Sequence, residues 1–107
     1  MENGIPRKPF KVSGKFKESR REIFEYSFYT FGQIQADRYR EKIDNAVETL
    51  PDRYFYYPPC RHIPTKSRKY CNIIIDAHLI IYRITAARIE VLDIVHDAMS
   101  VSRIRGL

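Results

Sequence analysis

An α+β fold is what this 107-residue sequence predicts: an N-terminal strand, then an antiparallel helical hairpin packed on a three- to four-stranded antiparallel sheet. Three observations carry the expectation. Two stretches with apolar residues at helical spacing follow one another between about residues 16 and 50, parted by a single glycine. Three short runs rich in Ile, Val, Leu and Tyr come next, with connections so short that they must be antiparallel neighbours. Apolar residues make up 44% of a chain long enough for one modest core and too short for two.

The first strand rests on Phe10 and Val12 alternating in Phe10-Lys11-Val12-Ser13, with Pro6 and Pro9 placing it at a sheet edge and Gly14 breaking it. From about Phe16 the period changes. Ile23, Phe24, Ser27, Phe28 and Phe31 recur as one helix face, and Gly32 supplies the stop. Ser19 and Glu22 stand at capping-box spacing, either a helix start or a coincidence inside one. The second helix presents Ala36, Tyr39, Ile43, Ala46 and Leu50, and Pro51 is expected to end it. Residues 51–68, with Pro51, Pro58, Pro59 and Pro64, read as irregular. The strands are expected at Lys69 to Ile75, Leu79 to Ile84 and Ile89 to His96. Ile73-Ile74-Ile75 and Leu79-Ile80-Ile81 are apolar without alternation, so both sheet faces must be covered. The hairpin covers one; the aromatic loop or a bound partner is expected on the other. Asp97 to Leu107 suffices for one or two helical turns, and the order of residues 1–9 is left open.

A net charge of +6 and a pI near 9.5 point to an acidic partner, nucleic acid or protein, or else serve solubility alone. From Arg53 to Tyr70 the cations Arg53, Arg61, Lys66, Arg68 and Lys69 stand without an acid, interleaved with Tyr54, Phe55, Tyr56 and Tyr57. Such a stretch binds single-stranded nucleic acid by phosphate contact and stacking, or its rings cover the sheet and its cations are solvated. The polar start predicts no cleavable leader, and no apolar run is long enough to span a bilayer. Two cysteines are too few for a disulfide scaffold, so a cytoplasmic protein with free thiols is expected. Cys60, His62, Cys71 and His78 match no common zinc spacing, and there is neither a glycine-rich phosphate loop nor a nucleophile elbow. No metal and no cofactor are expected.

Three segments carry a family resemblance. Phe31-Gly32-Gln33-Ile34-Gln35-Ala36-Asp37-Arg38-Tyr39 resembles the helix junction of ParE-type toxins, where an FG turn precedes an alanine and a tyrosine three residues on. Leu79-Ile80-Ile81-Tyr82-Arg83-Ile84 is similar to their I-x-Y-R-V strand. Ile89-Glu90-Val91 and Ile94-Val95-His96-Asp97-Ala98-Met99 resemble the ending I-x-I-x-x-I-L-H-x-x-M-D. Together they span about residues 10–105, in the order and spacing of the RelE/ParE superfamily, closest to its ParE branch.

The resemblance implies a toxin neutralised by a cognate antitoxin. The ParE mode implies binding to DNA gyrase with no catalytic constellation. The RelE mode implies mRNA cleavage on the ribosome, which needs a base, an acid and cations for the phosphate. The strand positions where RelE-type toxins carry such groups fall near Tyr70, Asn72 and Leu79, none cationic, and the near-terminal position falls at Arg103 rather than a tyrosine. A substitute set can be assembled from Arg68, Lys69, Arg83, His96, Arg103 and Arg105, and cleavage would need Arg83, His96 and Arg103, the catalytic candidates, to share one cleft. His96 otherwise closes a strand, and Arg83, with no acid or base visible beside it, is otherwise a surface contact. The family often has a basic residue where this chain has Asp93, which bears on the target surface. Target binding is expected from Arg61, Lys66, Arg68, Lys69, Arg83, Arg103 and Arg105. The antitoxin, expected to be acidic where it meets this basic chain, is placed against Tyr26, Tyr29, Tyr39 and Arg40, between the hairpin and the sheet edge. A toxin relative that only binds a partner is the remaining alternative.

Overall fold

A computed structural model describes residues 6–60 and 70–97. The elements are β1 (Phe10–Val12), α1 (Gly14–Phe31), α2 (Gln33–Glu48), α3 (Leu50–Arg53), β2 (Tyr70–Ile75), β3 (His78–Ile84) and β4 (Ile89–His96). The sheet order is β1-β4-β3-β2, so β4 and β3 are the inner strands. β2, β3 and β4 form the expected antiparallel meander. β1 departs from the all-antiparallel expectation: it joins β4 in parallel, Phe10 opposite Ile89 and Val12 opposite Val91. Alternation marks a strand but not its neighbour. The Ile89 amide donates to the Pro9 carbonyl and the Ser13 amide to the Val91 carbonyl, both at 2.9 Å. Pro9 needs only to accept there, a role an edge permits.

Ser13 begins α1. Its Oγ accepts from the Phe16 amide at 3.0 Å and donates to the Leu92 carbonyl at 2.6 Å, so one hydroxyl caps the helix and pins it to β4. Ser19 therefore lies inside the helix and is no cap. The inward face of α1 is Phe16, Ser19, Ile23 and Ser27, while Phe28 and Phe31, expected on the core side, face solvent. Gly32 joins the helices by itself with φ of +95°, a region closed to most side chains. Arg20 ties them together, its Nε and Nη2 gripping both oxygens of Asp44 at 2.7 and 2.6 Å.

Pro51 does not stop α2. The chain turns at Thr49, and Pro51 sits in the first turn of α3, where its missing N–H costs nothing. The segment after α3 then crosses from one sheet face to the other. Tyr54 is buried under the helices with Ile43, Leu50 and Tyr82, and the Tyr82 hydroxyl donates to the Tyr54 carbonyl at 2.6 Å. Six residues on, Cys60 packs against Leu79, Ile81 and Val95 on the opposite face. Between them the chain follows the outer edge of β2, with Asn72 donating to the Pro58 carbonyl and Cys60 to that of Tyr70. Both faces thus carry a core, as the non-alternating strands required. Cys71 faces the helix side and Cys60 the other, so both cysteines are buried, in no disulfide and separated by the sheet. Among the described residues no helix is long and apolar enough to cross a membrane.

Along β4 the pairing slips. Ile81 faces Asp93 but Tyr82 faces Val91, which leaves Leu92 without a partner across the ladder. Beside this bulge the Asp93 side chain is fully buried and reaches α1. Its Oδ1 accepts from Ser19 Oγ at 2.6 Å and from the Ile94 amide at 2.8 Å, and its Oδ2 lies 3.9 Å from Lys15 Nζ. A buried carboxylate is tolerable only with such donors. Ser19→Ala removes one and should lower unfolding free energy by about 1–3 kcal/mol in urea denaturation. Glu25→Gln, which breaks the exposed Arg21–Glu25 pair, should stay within about 0.5 kcal/mol.

Candidate functional site

Between the second half of α1, the start of α2, the β2–β3 turn and the end of β4 lies a groove of about 540 Å³. The sequence opens it by placing serines at positions 19 and 27 on the inward face of α1, where larger side chains would fill the space. Ile23 and Ile94 give it an apolar lining, with Tyr26 and Phe31 along the helix and Tyr39, His78 and His96 at the strand end.

The strand end is a linked polar cluster. β3 and β4 bring His78 opposite His96, their rings 5.4 Å apart and nearly perpendicular. Tyr39 reaches them from α2. Its hydroxyl donates to the Ile75 carbonyl at 2.9 Å and lies 2.7 Å from His78 Nδ1. A phenol has one proton to give, so with that proton on Ile75 the imidazole must donate from Nδ1 to the phenol oxygen. His78 is then the Nδ1–H tautomer, with Nε2 as its acceptor. Burial holds the His78 pKa below its ordinary value, and His96 lowers it further against the opposing pull of Asp76. Burial, with Asp76 nearby, pushes Tyr39 up to about 12.

The residues singled out in the sequence fall into separate places. Tyr26 and Tyr39 line the groove. Tyr29 is on the outer side of the hairpin, 83% exposed, and Arg40 pairs with Asp37 while lying 4.7 Å from the Phe24 ring centre. Arg83 has a carboxylate beside it after all: Glu90, directly across the ladder, accepts from its Nε at 2.8 Å and also from its Nη2. The bond raises the pKa of Arg83 and lowers that of Glu90, which also receives Arg88 at 3.1 Å. His78 and Arg83 are five positions apart on β3, about 17 Å, so Arg83 and His96 stand at opposite ends of the sheet. The single cleft that a catalytic Arg83–His96 pair requires is not formed. Arg61, Lys66, Arg68, Lys69, Arg103 and Arg105 lie outside the described residues.

Sequence reasoning missed two members of the site. His78 stood only among possible metal ligands, and among the described residues no group of three or more His, Cys, Asp or Glu side chains could hold a metal ion. Glu22 stood only as half of a capping box. Asp93, read as a change on the target surface, is instead a buried anchor. Among the described residues the charged side chains lining the groove are Glu22 and Asp76, opposite in sign to the net charge of the chain.

The histidine geometry has a measurable sign. Unfolded, His78 titrates near 6.5; folded, it titrates lower, so between those values the unfolded chain holds more protons. Stability should fall as pH drops below about 6.5 and level off once the folded imidazole is protonated. His78→Asn, which keeps an N–H donor near Tyr39, should flatten that slope in denaturation measured from pH 7.5 to 5. An unchanged slope would assign the pH dependence elsewhere.

Comparison with known proteins agrees with this architecture. The family described as the ParE toxin of the type II toxin–antitoxin system parDE matches residues 10–101. No curated protein matches the sequence. Among solved structures, a chain of the chromosomal ParDE toxin–antitoxin system from P. aeruginosa superposes with a TM-score of 0.70 at 14% identity. The match covers 84% of this chain and 96% of that one, and at such low identity it shows a shared fold. The fold comes from the structure and the family from the match over residues 10–101: the chain belongs to the ParE toxins of type II toxin–antitoxin systems.

Proposed function

We propose that this chain arrests bacterial growth by binding DNA gyrase and is held inactive by a cognate antitoxin seated in the groove between α1 and the end of β4. The observation that carries the reading is the family match over residues 10–101, which makes the chain a ParE toxin. The groove supports the antitoxin's place, being open, apolar along Ile23 and Ile94, and edged by the exposed ring of Tyr26. Tyr39 contributes to the same wall through its bond to His78.

The cleavage reading has one observation in its favour: two imidazoles and a phenol share the groove. Against it, a phosphodiester needs cations as well as a base. Among the described residues no lysine or arginine lines the groove, and Arg83 is far from it and bound to Glu90. Binding to gyrase is therefore preferred over mRNA cleavage on the ribosome.

The two modes separate in time. Minutes after the chain alone is induced in bacteria, pulse-labelled DNA synthesis should collapse while protein synthesis continues. An earlier fall in protein synthesis would make the chain a ribosome-dependent nuclease, and no change in either would make it a binding protein without toxicity.

A further inference from the structure

The sign of charge in the groove is opposite to that of the chain. The protein carries +6, yet the charged side chains lining the groove, among the described residues, are Glu22 and Asp76. Lys42 holds Asp76 at 3.0 Å. Glu22 has no such partner among the described residues, in contrast to Glu25 three positions on, which Arg21 holds at 3.0 Å. On α1 Glu22 stands one turn before Tyr26, so carboxylate and ring share one helix face. Tyr26 and Phe31 meet edge to face, 6.4 Å between centres at 80°, and are 66% and 60% exposed. A carboxylate beside two open aromatic faces is a receptor for a cation, by charge and by ring quadrupole together.

We propose that the segment filling this groove presents one lysine or arginine side chain to Glu22, its charge lying against the rings of Tyr26 and Phe31. The occupant is an amphipathic segment: apolar side chains meet Ile23 and Ile94, and the cation sits at the mouth. An acidic side chain in that position would face Glu22 with no lysine or arginine among the described residues of the lining. Acidic parts of the same partner belong on the basic surface outside the groove. This inference rests on the groove being the partner's seat, and it specifies the chemistry of that partner.

The test is a random-peptide display selection on the immobilised full-length chain, followed by affinity measurement of the selected peptides on three variants whose folding is checked by circular dichroism. Ala77→Trp, at an exposed lining position, blocks the groove. Glu22→Gln and Glu22→Lys alter only the exposed mouth. The expected peptides carry lysine or arginine among apolar residues, are lost on Ala77→Trp, weaken about three- to tenfold on Glu22→Gln and weaken further on Glu22→Lys. Peptides that Ala77→Trp displaces but that lack a cation, or bind Glu22→Gln as they bind the parent, overturn the cation site and leave the groove as a seat. Peptides indifferent to Ala77→Trp, or a selection that yields none, overturn both.

Discussion

A carboxylate with no exposure to solvent, Asp93, fastens the sheet to the first helix, and the arrangement of the site follows from it. β4 is an inner strand, paired in parallel with β1 and antiparallel with β3. Where its ladder slips at Leu92, Asp93 reaches Ser19 of α1, while Ser13 grips the Leu92 carbonyl one helical turn and more earlier. These two contacts fix where α1 crosses β4. Past Ser19 the inward side chains are Ile23 and Ser27, and the space they leave is the groove. A buried charge contributes little net stability by itself, but leaving it unpaired is costly. That asymmetry makes the serine at position 19 a positional constraint as well as a small residue lining the groove.

The site accordingly divides into two chemistries. At the strand end, His78 and His96 come from paired positions on neighbouring strands and Tyr39 sets the tautomer of one of them. At the helix end, aromatic rings and a carboxylate stand open to solvent. Neither end offers the phosphate-binding cations a nuclease needs, among the described residues, and the strand arginine that looked available is bound to Glu90. Such a surface suits recognition of a protein segment better than turnover of a nucleic acid. That is the physical basis for preferring a binding toxin within a superfamily that also contains nucleases.

Much of the fold was legible in the residues. Both helices, Gly32 as their link and all three meander strands lie within a residue or two of where periodicity put them, because an amphipathic face and a strand run are local signals. What periodicity does not encode is who pairs with whom. The parallel seat of β1 on β4, the route of residues 54–60 around the β2 edge and the placement of Phe28 and Phe31 outside the core are tertiary outcomes. Pro51 misled because proline both ends a helix and begins one. In the site, Tyr26 and Tyr39 were picked out but grouped with Tyr29 and Arg40, which stand elsewhere. Glu90 as the partner of Arg83 was recoverable in principle, since a short connection between the two strands sets that register. The burial of Asp93 was not recoverable, since nothing local marks a buried carboxylate.

The central claim, that the groove between α1 and the end of β4 is where the neutralising partner sits, is tested most directly by amide hydrogen exchange. The full-length chain would be compared alone and in complex with its antitoxin. The account predicts added protection in the second half of α1, at the start of α2, and around His78 and Ile94 to His96. Protection confined to β2 or to the β1 edge, with those amides exchanging as in the free chain, would contradict it.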